Sequence, residues 1–349
     1  MAYTTINKSS EHFNTKLYTG TGSSQSVTGV GFQPDFTWIK QRSGTEQNVL
    51  FDAVRGVQKY IASNTTAAEA TTATTLTAFN ADGFTEGGHG MTGANGSTYA
   101  SWNWKAGGGQ GSSNTDGSIN TTYTSVNTTA GFSISKYSGT GSNATIGHGL
   151  GVAPKMVIVK RLTGAADWVV GHDSMGWTKY IYLSAQSAQV TSASAAWNDT
   201  APTNSVFTVA TNTQVNASGS DYVAYCFAEK TGYSKIGSYT GNGSTDGTFI
   251  YTGFKPTFLL YKRSDSTGYW RLHDTKRDPH NVAYHNLFAN EAEAEGTTDS
   301  STGYNIDILS NGFKLRTTLA SSNNSGGTWI YMAIGQSLVG SNNVPCTAR

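Results

Sequence analysis

Two histidine–aspartate dipeptides carry the residue types best suited to acid–base chemistry. His172-Asp173 and His273-Asp274 each place an imidazole beside a carboxylate, the pairing that orients a general base in hydrolases. The corresponding place earlier in the chain holds Phe51-Asp52, so the carboxylate recurs without the histidine. Such a carboxylate is expected to cap a loop or to accept backbone N–H bonds. We therefore predict a structural role for these residues and no catalytic residues.

The three recurring aspartates could instead bind calcium, which takes carboxylate and carbonyl oxygens. Calcium loops usually bring several acidic residues close together in sequence, whereas Asp52 is followed by Arg55, and Asp274 by Lys276 and Arg277. These nearby cations disfavour a metal, so we predict neither a metal site nor a cofactor.

The two cysteines, Cys226 and Cys346, are too few for a disulfide framework or a zinc site. Cys226 lies within an apolar strand pattern and is expected to be a small core residue.

Other catalytic patterns are missing from the sequence. Acidic residues are sparse, and no run of alternating carboxylates on a strand pattern predicts a glycosidase pair. Serine-nucleophile, Walker and dinucleotide motifs are absent, and the run of glycines at 107–109 is not followed by Lys-Ser/Thr. The sequence thus predicts a protein that is not an enzyme.

Cationic pairs recur at the ends of three apolar runs, at 40/42, 160/161 and 262/263. They could form an anion site, but solvated charges where a strand reaches water are the favoured interpretation.

Aromatic residues outside the repeated motifs leave two interpretations open, sugar-stacking platforms or core: Trp177, Tyr180, Tyr182, Trp197, Tyr269 and Trp270. The sequence identifies no specific ligand-binding residues.

The elements that position these residues occur three times. Each copy has a Tyr-Thr/Ser-Gly-x-Gly motif, an apolar strand opened by a proline, a turn before a phenylalanine and a closing aromatic strand. An aspartate also follows the lysine of each cationic pair (Lys40, Lys160 or Lys262) by 12 or 13 residues. The opening prolines are Pro34, Pro154 and Pro256. Because their strands are apolar on both sides of the pleat, we expect both faces to be covered. The turns are Asp82-Gly83, Asn204-Ser205 and Asn311-Gly312, and Asn-Gly and Asp-Gly favour hairpins.

The repeats predict an all-β chain of three tandem antiparallel β-sandwich units of jelly-roll or lectin-like type. The predicted boundaries are an N-terminal arm at 1–13, unit 1 at 14–106, a Gly/Ser/Thr-rich linker at 107–130 with a possible extra strand, unit 2 at 131–231, unit 3 at 232–338 and a tail at 339–349. Residues 289–295 have a helix-favouring composition, but the equivalent stretches do not, so a loop is expected there.

Composition limits the class of protein further. The 349 residues carry a formal net charge of +1, which argues against a nucleic-acid partner. No apolar run approaches the roughly 18 residues of a membrane helix, and the N-terminus has no signal-peptide pattern. We therefore expect synthesis in a cytoplasm and no membrane insertion.

Several segments resemble a family of repeat-built structural proteins of tailed bacteriophages, frequent in marine phages and related to concanavalin-A-like sandwiches. They are MAYTTINKSS (1–10), GVGFQPD (29–35), WNWKAGGG (102–109), YVAYCFAE (222–229) and LSNGFKLR (309–316). The resemblance implies a virion component of the decoration, fibre or tail-attachment kind and supplies no catalytic residues. Residues 334–337, Ile-Gly-Gln-Ser, depart from the Phe-Ala-Glu that family members tend to keep there.

The expected function is thus that of a non-catalytic virion structural protein, with other virion proteins as partners and homo-oligomers possible. The alternative is a carbohydrate-binding adhesin for host surface glycans, and a polysaccharide depolymerase is a third class. Three similar units in one chain could also imitate a trimer at a threefold position.

Overall fold

The predicted all-β class is confirmed by a computed structural model, which describes residues 4–191, 194–296, 303–337 and 339. Antiparallel sheets form the body, and the described α-helices are single turns of four residues. Cys346 and nearly all of the predicted tail lie outside the described residues.

Strands β1 to β9 belong to unit 1. They are β1 (Phe13–Thr19), β2 (Gln25–Thr28), β3 (Phe36–Gln41), β4 (Val49–Asp52), β5 (Lys59–Ala62), β6 (Ala70–Thr71), β7 (Leu76–Asn80), β8 (Gly83–Glu86) and β9 (Thr98–Trp104).

The linker and unit 2 contain strands β10 to β17. They are β10 (Tyr123–Asn127), β11 (Phe132–Ser138), β12 (Ala144–Gly147), β13 (Met156–Arg161), β14 (Val169–His172), β15 (Ile181–Tyr182), β16 (Val206–Val209) and β17 (Asp221–Phe227).

Unit 3 contains strands β18 to β25. They are β18 (Ser234–Thr240), β19 (Phe249–Tyr251), β20 (Phe254–Arg263), β21 (Arg271–Asp274), β22 (Leu287–Phe288), β23 (Ile306–Leu309), β24 (Gly312–Leu315) and β25 (Thr328–Ser337).

Short helical turns complete the described secondary structure. The α-helical turns are α1 (Gly90–Gly93), α2 (Ser194–Trp197), α3 (Thr213–Asn216) and α4 (Ala320–Asn323), and the 3-10 turns are Ser9–Glu11 and Asp173–Met175. Residues 289–295 form no helix, which confirms the loop predicted there.

The three larger sheets share a five-strand order, to which unit 1 adds β6 at one edge and unit 2 adds β10 at the other. Unit 1 has β1-β9-β3-β4-β5-β6, unit 2 has β10-β11-β17-β13-β14-β15 and unit 3 has β18-β25-β20-β21-β22. In each, the predicted opening and closing strands lie side by side at the centre. Each unit also has a smaller sheet: β2-β8-β7, β12-β16 and β19-β24-β23.

The inner faces of the larger sheets meet in one hydrophobic core. Trp104 lies at its centre, with ring centroids 6.4 Å from Phe227 of unit 2 and 5.5 Å from Phe258 of unit 3. The outer face of each large sheet packs against its own small sheet, as Ile39 does with Phe84 and Val157 with Phe207. The opening strands are therefore covered on both faces, as predicted.

Hairpins form at two of the three predicted turns. Asp82-Gly83 joins β7 to β8, and Asn311-Gly312 joins β23 to β24. In unit 2 no described strand ends at Asn204-Ser205, and β16 makes only the pairing with β12 that corresponds to β8 with β2 and to β24 with β19.

The first part of the linker is docked by a single carboxylate. Asp35 accepts backbone N–H bonds from Ala106, Gly108 and Gly109 at 2.7, 3.0 and 2.7 Å. The second part forms β10, which pairs with β11 and confirms the predicted extra strand, although it begins later than expected. The N-terminal arm is anchored on β25, where Gln336 Oε1 accepts from the Ser9 backbone at 3.0 Å.

Candidate functional site

The lysines of the cationic pairs are buried, which corrects the prediction that these charges are solvated. Lys40, Lys160 and Lys262 are each 0 % exposed. Their strands do not end at water, because a loop of the neighbouring unit covers each strand end. The arginines at 42, 161 and 263 remain partly exposed.

Each buried ammonium bridges two units. Lys160 Nζ donates to Thr66 O of unit 1 at 2.9 Å, and Lys262 Nζ donates to Gln186 O of unit 2 at 2.9 Å. Lys40 Nζ closes the series by donating to Ala292 O of unit 3 at 3.1 Å. The three junctions therefore form a closed ring in which every unit contacts the other two.

Each lysine also secures the loop that follows its own strand. Lys160 donates to Ala166 O at 2.6 Å and Lys262 to Gly268 O at 2.5 Å, while Lys40 reaches the carbonyls of Gly44 and Glu46. The ammonium groups thus replace their hydration with peptide carbonyls on both sides of each junction.

Main-chain hydrogen bonds join the same pairs of units, and each uses the carbonyl of the residue two positions after the buried lysine. Glu69 N donates to Leu162 O at 3.0 Å, Gln189 N to Ser264 O at 2.8 Å and Glu295 N to Arg42 O at 2.9 Å. The junction is therefore one structure used three times.

Burial lowers the pKa of all three lysines, to about 8 for Lys40 and Lys160 and to about 7 for Lys262. A lysine with a lowered pKa can serve as a nucleophile or base when a substrate reaches it. Here each ammonium is enclosed and donates to carbonyls on both sides of its junction. Its geometry suits structural support.

The predicted loop-capping aspartates do cap loops in units 1 and 3. Asp52 accepts from the Arg55 backbone N–H at 2.8 Å and its Nε at 2.5 Å, and Asp274 binds Arg277 at 2.9 and 2.5 Å in the same way. Both ion pairs are fully buried.

A neighbouring unit completes each ion pair. Tyr225 of unit 2 donates its hydroxyl to Asp52 at 2.7 Å, and Trp102 of unit 1 donates Nε1–H to Asp274 at 3.0 Å. Each buried carboxylate thus has a donor from a second unit.

Unit 2 departs from the predicted alignment by one residue. His172, and not Asp173, pairs across the sheet with Met156, as Asp52 pairs with Phe36 and Asp274 with Phe258. His172 also follows its lysine by the same 12 residues as the two aspartates. Asp173 is instead half exposed and forms an ion pair with Lys155 at 2.6 Å.

The substitution in unit 2 involves a whole set of residues. Units 1 and 3 have the charged sets Asp52–Arg55–Glu69 and Asp274–Arg277–Glu295, whose second ion pairs measure 3.1 Å each. At the equivalent positions unit 2 has His172, Met175 and Gln189, and Met332 of unit 3 occupies the place of Tyr225 and Trp102. At the junction between units 2 and 3, uncharged side chains therefore occupy all the positions that hold the ion-pair residues at the other two junctions.

Neither histidine has the geometry of a base oriented by its neighbouring aspartate. His172 Nδ1 accepts from Ser174 N–H at 3.2 Å, and Nε2 lies 3.3 Å from Tyr331 O. Burial lowers the pKa of His172 to about 4. His273 stacks on Tyr261 at 5.8 Å, and burial, with the charges of Arg277 and Arg271, lowers its pKa well below the ordinary value.

Most of the proposed sugar-stacking aromatics belong to the core. Trp177, Tyr180, Trp197 and Trp270 are buried, and only Tyr182 and Tyr269 of that group are partly exposed. Cys226 is buried as predicted.

Two surface features were missed from sequence. One is an open depression of about 320 Å³ at the junction of units 1 and 2, lined by Thr66, Arg161, Ala165, Ala166, Asp167, Thr213 and Gln214. In the described part of the chain, Arg161 Nε and Gln214 Oε1 are buried there without a hydrogen-bond partner.

The other surface feature is an aromatic pair on β19, Phe249 and Tyr251, which are 44 % and 60 % exposed. Strand alternation could have identified the second feature, whereas the first needs two units in contact.

Within the described ranges, no grouping of three or more His, Cys, Asp and Glu residues is arranged to hold a metal ion. None of the helices in those ranges is both long and apolar enough to cross a bilayer.

The geometry thus defines an all-β protein in which recurring polar residues join three similar units. The chain belongs to a family described as a domain of unknown function, DUF7483, whose model matches residues 8–337. No curated protein and no solved structure matches it.

Proposed function

We propose that this protein is a non-catalytic structural component of a tailed-bacteriophage virion, a capsid decoration or a tail or fibre component. In this proposal the chain is three tandem sandwich units closed into one rigid ring. It is made in the host cytoplasm and then held on the virion by other virion proteins. The segments that resemble phage structural proteins support the virion part of the proposal.

The closed ring of junctions is the observation that carries the structural role. Among the candidate groups for chemistry, three lysines and two aspartates are buried in hydrogen bonds between units. A closed ring limits relative motion, because moving one unit breaks two junctions. Rigidity of this kind suits a component that must keep its shape on a particle surface.

The three similar faces also suit a threefold environment. A single chain with three similar units can match a trimeric partner while leaving its units free to differ. A reconstruction of the virion tests this: we expect the chain at a local threefold position or on a trimeric stem. A chain located where its surroundings have no approximate threefold arrangement would refute this part of the proposal.

A carbohydrate-binding adhesin is the second candidate, favoured by the junction depression. Arg161, Asp167 and Gln214 present there the donor and acceptor groups that hydroxyl-rich or acidic sugars require. A glycan array with the purified chain and with Arg161→Ala tests it, and Arg316→Ala, on a distant strand end, is the matched control. Signals lost only in Arg161→Ala support the adhesin, and an array without signals leaves the structural role.

A depolymerase is the third class, and it predicts release of reducing sugars from bacterial polysaccharide. We expect none. If reducing sugars were released and the release disappeared when a carboxylate was mutated, the depolymerase would become the preferred function over the other two.

A further inference from the structure

The small sheets of the three units end in equivalent edge strands. Val27 of β2 pairs with Phe84, Ile146 of β12 with Phe207 and Ile250 of β19 with Phe313. This register makes Ser26, Thr145 and Phe249 equivalent, and likewise Thr28, Gly147 and Tyr251. The three edges can therefore be compared position by position.

In unit 2 the linker covers this edge. Ile119 forms a parallel bridge with Ile146, and its N–H donates to Thr145 O at 3.0 Å. The Thr145 N–H donates to Ser118 Oγ at 2.9 Å. Ile119 is nearly buried in the outer core of unit 2, and Gly117 lies so close to Thr145 O that a Cβ would stand 2.3 Å from it. An extended segment thus pairs with β12 and also adds a side chain to the core.

In unit 1 the same edge is polar. The exposed side chains of β2 are Ser26 and Thr28, and the chain leaves the strand through two glycine N–H groups bonded to Asp82. Short polar edges of this kind discourage pairing with other strands.

In unit 3 the edge is aromatic and uncovered within the described residues. Ile250 points inward, while Phe249 and Tyr251 are exposed, two of four large hydrophobic side chains with high exposure in the described part of the chain. Thr248 O accepts from Leu315 N–H at 3.1 Å, and Thr252 N–H donates to Asn311 O at 3.0 Å. Because antiparallel ladders alternate, the backbone groups of Phe249 and Tyr251 point away from β24.

We propose that β19 is a docking edge for an extended segment of a partner polypeptide, which pairs with Phe249 as residues 118–119 pair with Thr145. Main-chain hydrogen bonds would supply the affinity, and the two aromatic rings would select apolar or β-branched neighbours. The occupant is argued from the linker, which shows the equivalent edge bound by such a segment. The inference does not depend on the virion role.

A nine-residue peptide of residues 114–122 of this chain is the probe, because it is the segment already bound to β12. Amide hydrogen exchange of the full chain, with and without the peptide, reports occupation of each edge. We expect peptide-dependent protection at residues 248–252 and none at residues 25–28. No protection at 248–252 with peptide at millimolar concentration, or equal protection at both edges, overturns the proposal.

Two variants separate the edge from the overall fold. F249S/Y251T gives β19 the side chains that unit 1 carries, and we expect it to weaken peptide binding at least tenfold while the circular dichroism spectrum stays unchanged. The control Val152→Ser removes another exposed apolar side chain and should bind as the natural chain does. A dimer in the free protein that F249S/Y251T abolishes would show that a second copy occupies the edge, and this would also overturn the proposal.

Discussion

Lys262 Nζ lies 2.9 Å from the carbonyl oxygen of Gln186, and this bond joins unit 3 to a loop of unit 2. The equivalent bonds of Lys160 and Lys40 join units 2 and 1 and units 1 and 3. An ammonium is a suitable bridge because it has three donors and each junction offers carbonyls from two loops. The stability of the ring therefore depends on groups that look like surface charges in the sequence.

Replacing Lys262 with methionine should destabilise the protein by about 2–3 kcal/mol, because the Gln186 and Gly268 carbonyls lose their donor in a buried place. Methionine replaces all of the lysine side chain except the terminal ammonium group, so packing changes little. Denaturant unfolding measures the loss. The control Lys235→Met removes a half-exposed lysine paired with Glu229 and should cost less than about 1 kcal/mol. An unchanged midpoint in Lys262→Met would show that the bridge is energetically neutral.

The buried ion pairs should show strong coupling among their members. Arg55→Met alone leaves the Asp52 carboxylate buried without its partner and should cost about 3–5 kcal/mol. The triple variant D52H/R55M/E69Q installs the three side chains that unit 2 carries at these positions and keeps Tyr225, and it should recover at least half of that loss. Thermal and denaturant unfolding of the single and triple variants provide the comparison. If the triple variant is less stable than Arg55→Met, the set in unit 2 is not an independent solution.

Acid should destabilise the protein through His172. Its folded-state pKa of about 4 lies below the ordinary value of 6.5, because burial disfavours the charged form. Between these values the unfolded chain binds more protons, so the free energy of unfolding falls as the pH is lowered from 6.5 towards 4. We expect the natural chain to lose about 3 kcal/mol more than His172→Gln between about pH 7.5 and about pH 4. Parallel pH profiles for the two proteins would contradict this assignment.

The Asp35 carboxylate should control the start of the linker. Burial raises its pKa, while the N–H bonds from Gly108, Ala106 and Gly109 lower it. Asp35→Ala removes the acceptor of three N–H bonds and should cost about 2–4 kcal/mol. The variant should also become susceptible to proteolysis at residues 106–111, and mass spectrometry should detect a single cleavage in that segment. Asp116→Ala, an exposed change in the same linker, should leave the cleavage pattern as it was.

The strand framework could be predicted from the sequence because each unit repeats the same local signals. Pro34 and Pro154 precede their strands as predicted, whereas Pro256 does not open β20, which begins at Phe254. It lies at a bulge of that strand, where a residue that cannot donate to a ladder is tolerated. The register of unit 2 could not be fixed in the same way. Residue type alone made Asp173 the equivalent of Asp52 and Asp274 in the sequence, whereas the strand pairing places His172 at that position.

The sequence by itself determined the all-β class, the recurrence of the same local motifs in three places and the burial of the opening strands on both faces. Those features follow from local patterns, in which apolar alternation, glycine turns and proline positions act within a few residues. Only the tertiary structure decided that Lys40, Lys160 and Lys262 are buried, that the junctions close into a ring and that β19 alone presents an exposed aromatic edge among the described residues. The physical reason is that a lysine's solvation depends on which distant carbonyls reach it, and the residues that supply them lie 76 to 252 positions away in the chain.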